Sequence, residues 1–118
     1  MKLAEIHESL DPHMPDASST FQFGDCCYEV LRVVVKALEA GFRDFAVVEG
    51  MVYLNGEESA IPHTWIELRD GSVKDPTANQ FGDAQIQYGP PGEFREDFTP
   101  EEYIEHSEFS YGVGPSDL

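Results

Sequence analysis

A chain of 118 residues holds one hydrophobic core and is too short for two, so a single domain over residues 1–118 is expected. With 41% apolar and 12% aromatic residues, a formal net charge of −16 does not signal disorder. The same acidity argues against direct binding to nucleic acid, whose phosphates need Lys and Arg, and no stretch nears the ~20 apolar residues that cross a bilayer. Met1 to Pro15 lacks the basic and apolar regions of a secretory leader, which predicts a cytoplasmic location. The two cysteines, Cys26 and Cys27, are adjacent. Neighbouring Cα atoms lie about 3.8 Å apart against roughly 4.4–6.8 Å across a disulfide, so no structural disulfide within the chain is expected.

In chain order, residues 1–23 read as a short helix striped by Leu3, Ile6 and Leu10, then a loop marked by Asp11-Pro12, Met14-Pro15 and Ser18-Ser19-Thr20. Gly24-Asp25 closes that loop onto a helix, since the Asp25 carboxylate can accept from the free N–H groups of a first turn. The main helix is predicted from about Cys26 to Ala40. Val30, Leu31, Val34, Ala37 and Leu38 form its buried stripe, and Gly41 stops it. Asp44 to Leu54 is rich in β-branched and aromatic residues and reads as a strand, followed by the turn former Asn55-Gly56. A second strand covers about Pro62 to Leu68, and Asp70-Gly71 turns the chain into a third, Ser72 to Asp75. Gln85 to Tyr88 supplies a further short strand. After the Gly89-Pro90-Pro91-Gly92 break, Thr99-Pro100-Glu101-Glu102 has the form of a capping box and opens a short helix to about His106, with Gly112 to Leu118 loose. These elements predict an α+β fold in which a nucleophile-bearing helix packs on an antiparallel β-meander. Within it, 1–23 is an N-terminal helix and loop, 24–82 the catalytic core and 83–118 an acidic extension, of which residues 84–118 hold eight acids against Arg95 alone.

A cysteine nucleophile needs an imidazole to take its proton and a carboxylate to hold that imidazole, and the chain offers Cys26 or Cys27, His63 and Asp75 in that order. Register decides whether the last two can meet. A two-residue loop at Asp70-Gly71 pairs Ile66 with Asp75 and leaves His63 on the opposite face. A type I turn with Gly71 left-handed in a G1 bulge pairs Leu68 with Ser72 and Trp65 with Asp75, which puts His63 and Asp75 on one face. The bulged register is therefore predicted. A helix N-terminus favours thiolate, and both cysteines sit at one. Cys27 is preferred as the inward residue because Val30, Leu31 and Val34 follow at +3, +4 and +7, whereas Cys26 places Glu29 at +3; Cys26 remains the alternative.

The ordered set Gly24-x-Cys26-Cys27, Gly50, His63-x-Trp65 and Asp75-Pro76-Thr77 resembles the transglutaminase-like branch of the papain-like cysteine hydrolases, with motifs Gly-x-Cys, His-x-Trp and Asp-Pro-Thr, over about residues 24–82. Ala78-Asn79-Gln80-Phe81-Gly82 is also similar to small bacterial members ending in Asp-x-Thr-x-x-Gln-Phe. The resemblance implies a thiolate on Cys27 or Cys26, a base at His63 and an orienting Asp75, on a helix packed against an antiparallel sheet. The Gly-to-Cys spacing selects Cys26, while an aromatic after the cysteine selects Cys27 with Tyr28. Gln22 stands where a Gln precedes the nucleophile of papain-like proteases and would donate to an oxyanion, at a shorter spacing. Trp65 fills the core or walls the cleft, and Gln80 bonds near the site or caps the strand end.

The expected activity is that of a thiol hydrolase or acyltransferase working on an amide, isopeptide or thioester carbonyl through an acyl-cysteine, with a peptide or basic protein as substrate and no cofactor. An adjacent cysteine pair does not meet the spacing of structural zinc ligands, so no metal is expected. His7, His13 and His106 lie in polar surroundings and read as solvated. The competing reading is a non-catalytic acidic protein, such as a nucleic-acid-mimicking inhibitor, that binds a basic partner.

Overall fold

Leu10, Met14 and residues 25–56, 60–89 and 95–118 are described by a computed structural model of the chain. Helix α1 spans Asp25–Glu39. Gly24 and the Asp25 side chain, where a cap is expected, lie outside the described residues, as do residues 1–9 of the N-terminal helix. Leu10 itself is helical and buried in the core. Gly41 stops α1 as expected: at φ +87° it lets its N–H reach Leu38 O (3.0 Å) and the Phe42 N–H reach Ala37 O (2.9 Å), which satisfies the last carbonyls. The buried face differs from the expected stripe. It includes Cys26 and Val33, while Leu38 is only partly buried.

The sheet is antiparallel, with strands β1 (Phe45–Leu54), β2 (Ile61–Leu68), β3 (Val73–Lys74), β4 (Ile86–Tyr88) and β5 (Glu96–Phe98). Its order is β3-β2-β1-β4, with β5 also paired to β1. One edge of β1 carries β2 along most of its length; the other carries β4 at Val52–Leu54 and β5 at Val47–Glu49. Strand β5 is absent from the sequence reading. Glu96-Asp97-Phe98 has neither alternation nor β-propensity, and it is a strand because the edge of β1 offers it partners.

Helix α2, Pro100–Tyr111, opens on the capping box: Thr99 Oγ1 accepts from the Glu102 N–H (3.1 Å) and Glu102 Oε1 from the Thr99 N–H (2.8 Å). It continues past the expected end at His106 to Tyr111, where Gly112 at φ +70° closes it. Nor are the residues that follow loose. Ser107 Oγ donates to Val113 O at 2.8 Å, and Pro115–Asp117 forms a 3-10 turn. Among the described residues no helix is long and apolar enough to cross a membrane.

The sheet separates two apolar clusters. On one face α1 and α2 cover Phe45, Val47, Ile66, Leu68 and Phe98; on the other Val48, Val52 and Trp65 pack with Phe81 and Tyr88. This is the period-2 alternation of β1 and β2 made physical. Trp65 is fully buried, and Gly50 is the residue that admits it. A Cβ at Gly50 would sit 2.9 Å from Trp65 Cη2 and 3.1 Å from Arg95 Cβ. Gly50→Ala should therefore lower stability by about 1–3 kcal/mol. Trp65 is the sole tryptophan, so its fluorescence in a urea titration reads the change directly; an unchanged midpoint would mean that the indole moves aside without loss.

Candidate functional site

The turn at Asp70-Gly71 adopts the G1-bulge register. Gly71 has φ +88°, its N–H donates to Leu68 O (2.9 Å), the Leu68 N–H donates to Ser72 O (2.8 Å), and β2 pairs with β3 as Ile66 with Lys74 and Glu67 with Val73. One further step along that ladder sets Trp65 opposite Asp75. Asp70 stabilises the turn by accepting from both the N–H and the hydroxyl of Ser72, at 3.0 and 2.6 Å.

That register brings His63 and Asp75 together. His63 Nε2 lies 2.7 Å from Asp75 Oδ2, with both side chains almost completely buried. The same carboxylate accepts from Tyr88 Oη (2.7 Å) and from the Thr77 N–H (3.1 Å). With two other donors already on this carboxylate, Nε2 is the ring nitrogen that carries a proton, which leaves Nδ1 as the basic position. Burial, and then the charge and hydrogen bond of Asp75, push the Tyr88 phenol well above its ordinary range and keep it a neutral donor. Phe81 meets the imidazole edge-on at 5.1 Å and Trp65 stacks at 6.2 Å, so the ring is held from two sides. Among the described residues no hydrogen bond joins Gln80 to the imidazole. Its Nε2 donates to Thr77 O (3.1 Å) and Thr77 Oγ1 (2.9 Å), which clamps the turn that follows Asp75. Gln22, His7 and His13 lie outside the described residues.

The cysteines occupy the first turn of α1. Cys26 is the buried one and Cys27 is partly exposed, the reverse of the expected inward face, because Val33 and Ala37 extend the buried stripe through Cys26. Their sulfurs are 4.0 Å apart, and Cys27 Sγ lies 3.6 Å from Thr64 Oγ1. One negative charge is favoured on this pair. The hydrogen bond from the Cys26 thiol holds the Cys27 pKa down to about 6, helped by Thr64 and Tyr111 and opposed by burial and Glu49. Cys26 is pushed far up, first by its bond to Cys27 and then by burial.

Both thiols line a cavity of about 420 Å³ together with Glu49, Gly50, Ile61, His63, Thr64 and Tyr111. Alternation along β2 sends the Thr64 side chain to the α1 face and the His63 ring to the Trp65 face. Accordingly, among the described residues no hydrogen bond joins either sulfur to the imidazole. Glu49, Thr64, Tyr103 and Tyr111, of this cavity and its wall, escape the sequence reading. Glu49 accepts from Tyr111 Oη at 2.5 Å and is 2.9 Å from His106 Nε2, so His106 is paired rather than solvated. The visible signal was Glu49 itself, an acid inside the apolar run Phe45–Leu54. Tyr103 Oη donates to Cys27 O at 3.4 Å, a further link from α2 to the thiol turn.

Among the described residues no group of three or more His, Cys, Asp or Glu side chains could hold a metal ion. In comparisons with protein-family models, curated proteins and solved structures, nothing matches this chain. The chemistry legible here is thus that of the residues themselves: an acidic thiol at a helix N-terminus, and a buried imidazole whose tautomer is set by a carboxylate, opening on one cavity.

Proposed function

We propose that this protein is a cysteine-dependent hydrolase or acyltransferase, acting on an amide, isopeptide or thioester carbonyl with a papain-like or transglutaminase-like core. The observation that carries the reading is the buried His63–Asp75 pair at 2.7 Å opening on the cavity that holds Cys27. The Cys27 thiol gives its proton to His63 Nδ1 and the thiolate attacks the carbonyl carbon; the bond to the leaving amine or thiol breaks, and the His63 imidazolium returns that proton to the leaving group. Water or an amine then attacks the acyl-cysteine, giving up its proton to His63 and releasing the thiolate. Asp75 keeps Nε2 protonated throughout, so Nδ1 is the nitrogen that takes and returns the proton.

The test is acetyl transfer from p-nitrophenyl acetate, followed by nitrophenolate release and by mass spectrometry of the peptide that contains Cys27. An acetyl adduct on Cys27 whose formation slows by about 10²–10⁴-fold in His63→Ala supports the reading. Adduct formation no faster than that of a free thiol, and indifferent to His63, overturns it. A second reading, a non-catalytic acidic protein for a basic partner, is favoured by the solvent-exposed Glu101, Glu102, Glu105 and Glu108 of α2. It expects no His63-dependent adduct.

A further inference from the structure

We infer that Glu49 makes the thiol cavity selective for a cationic substrate group, a lysine or arginine side chain beside the reacting carbonyl; as a statement about substrate, this rests on the acyl-transfer reading above. Glu49 is the one acidic side chain among the described residues of that cavity, whose remaining walls include the apolar Ile61 and Pro62. Its carboxylate is fixed by two partners, of which Tyr111 shares the cavity wall. Tyr111 Oη occupies Oε2 and His106 Nε2 sits at Oε1, while the His106 ring is itself stacked on Phe98 at 4.5 Å and bonded to Ser110 Oγ at 3.3 Å. Two carboxylate oxygens provide about four acceptor directions, so two partners leave capacity for an incoming donor.

Among the described residues no Lys or Arg lines this cavity, and the one titratable nitrogen on the carboxylate is His106 Nε2. A neighbouring cavity of about 370 Å³ shares Glu49 and Gly50 with the first and adds Met51, Arg95 and Glu96. Arg95 is the basic residue there, and its guanidinium is committed to Glu67, Asp97 and the Gly89 carbonyl at 2.9–3.4 Å. A carboxylate on the wall that two cavities share, in a chain of net charge −16, concentrates cations beside the thiol. For an acyl donor, that position is filled by a positively charged side chain close to the scissile bond.

Charged thiol reagents test the field at the sulfur without requiring turnover. 2-(Trimethylammonio)ethyl and 2-sulfonatoethyl methanethiosulfonate each form a mixed disulfide with a thiolate and release methanesulfinate, and they differ in sign of charge. With Cys26→Ser as the common background, the cation-to-anion rate ratio at Cys27 should exceed that of N-acetylcysteinamide by at least about tenfold. In 1 M salt the Debye length falls to about 3 Å, which silences distant charge. The part of the ratio that survives should then drop at least about fivefold in Glu49→Gln. A ratio equal to the free thiol's, or one that Glu49→Gln leaves unchanged in 1 M salt, overturns the inference. The second arm compares peptide thioesters whose reacting carbonyl belongs to Lys, norleucine or Glu. A Lys preference in kcat/KM of about tenfold, lost in Glu49→Gln, completes the assignment. The two readings fail separately: turnover without charge preference sinks this inference alone, whereas cation-selective labelling without turnover sinks the enzyme reading and leaves the cation site standing.

Discussion

Asp75→Ala is expected to lower stability by about 3–5 kcal/mol and to abolish acyl transfer, whereas Asp75→Asn should abolish transfer at a stability loss of only about 1 kcal/mol. The difference follows from the three donors that converge on this carboxylate: His63 Nε2, Tyr88 Oη and the Thr77 N–H. Alanine leaves all three without an acceptor inside a buried site, and each orphaned group costs about 1–3 kcal/mol. Asparagine keeps the oxygen that accepts from the Thr77 N–H, and the Tyr88 hydroxyl can rotate to accept from the amide that replaces the oxygen shared by His63 and Tyr88. The amide cannot serve the imidazole as the carboxylate did. With an N–H₂ group facing Nε2, the ring must move its proton to Nδ1, and the nitrogen needed as base is then blocked. Urea unfolding and acetyl transfer measured on both variants separate the two effects. If Asp75→Asn transferred acetyl at the wild-type rate, Asp75 would be a turn residue and His63 would not act through it.

The register of the β2–β3 turn is legible in the sequence, because a one-residue slip puts His63 and Asp75 on opposite faces and a left-handed glycine at Gly71 avoids it. Helix α1 and its stop at Gly41 were legible for similar local reasons, as was the capping box at Thr99. What the sequence hid is nonlocal. Glu96-Asp97-Phe98 has no strand signal of its own and is a strand only because β1 presents an open edge. The last turn of α2 lacks an apolar period, yet it carries Tyr111 to Glu49, a contact between residues 62 positions apart that no spacing rule encodes. The burial of the two cysteines departs from the expected face for a subtler reason. Helical spacing showed Leu31 and Val34 beneath Cys27 but passed over Val33, and Cys26, Val33 and Ala37 turn the buried face toward the other sulfur.

That reversal leaves Cys27 as the expected nucleophile on different grounds, access and charge, and it sets up a pH test with a defined sign. A lowered thiol pKa keeps the thiolate present as the pH falls, so alkylation by iodoacetamide should stay near its plateau at pH 7 and halve only near pH 6. In Cys26→Ala the leading cause of that lowering is gone, and the Cys27 pKa should return toward the free value of about 8.5. At pH 6 the thiolate fraction would then fall from roughly one half to roughly 0.3%. The more basic thiolate is intrinsically more nucleophilic and recovers about tenfold of that loss, leaving a net slowing of about tenfold. Cys27→Ala should do far more, cutting labelling at pH 6 by at least about 100-fold, because Cys26 is buried and its own pKa is driven up rather than down. Rate against pH for both variants and the parent chain decides between the sulfurs. Should Cys26→Ala instead remove the fast phase while Cys27→Ala retains it, the nucleophile is Cys26, as the spacing from Gly24 in the motif Gly24-x-Cys26 had it, and the Cys27 thiol becomes the donor that tunes its neighbour.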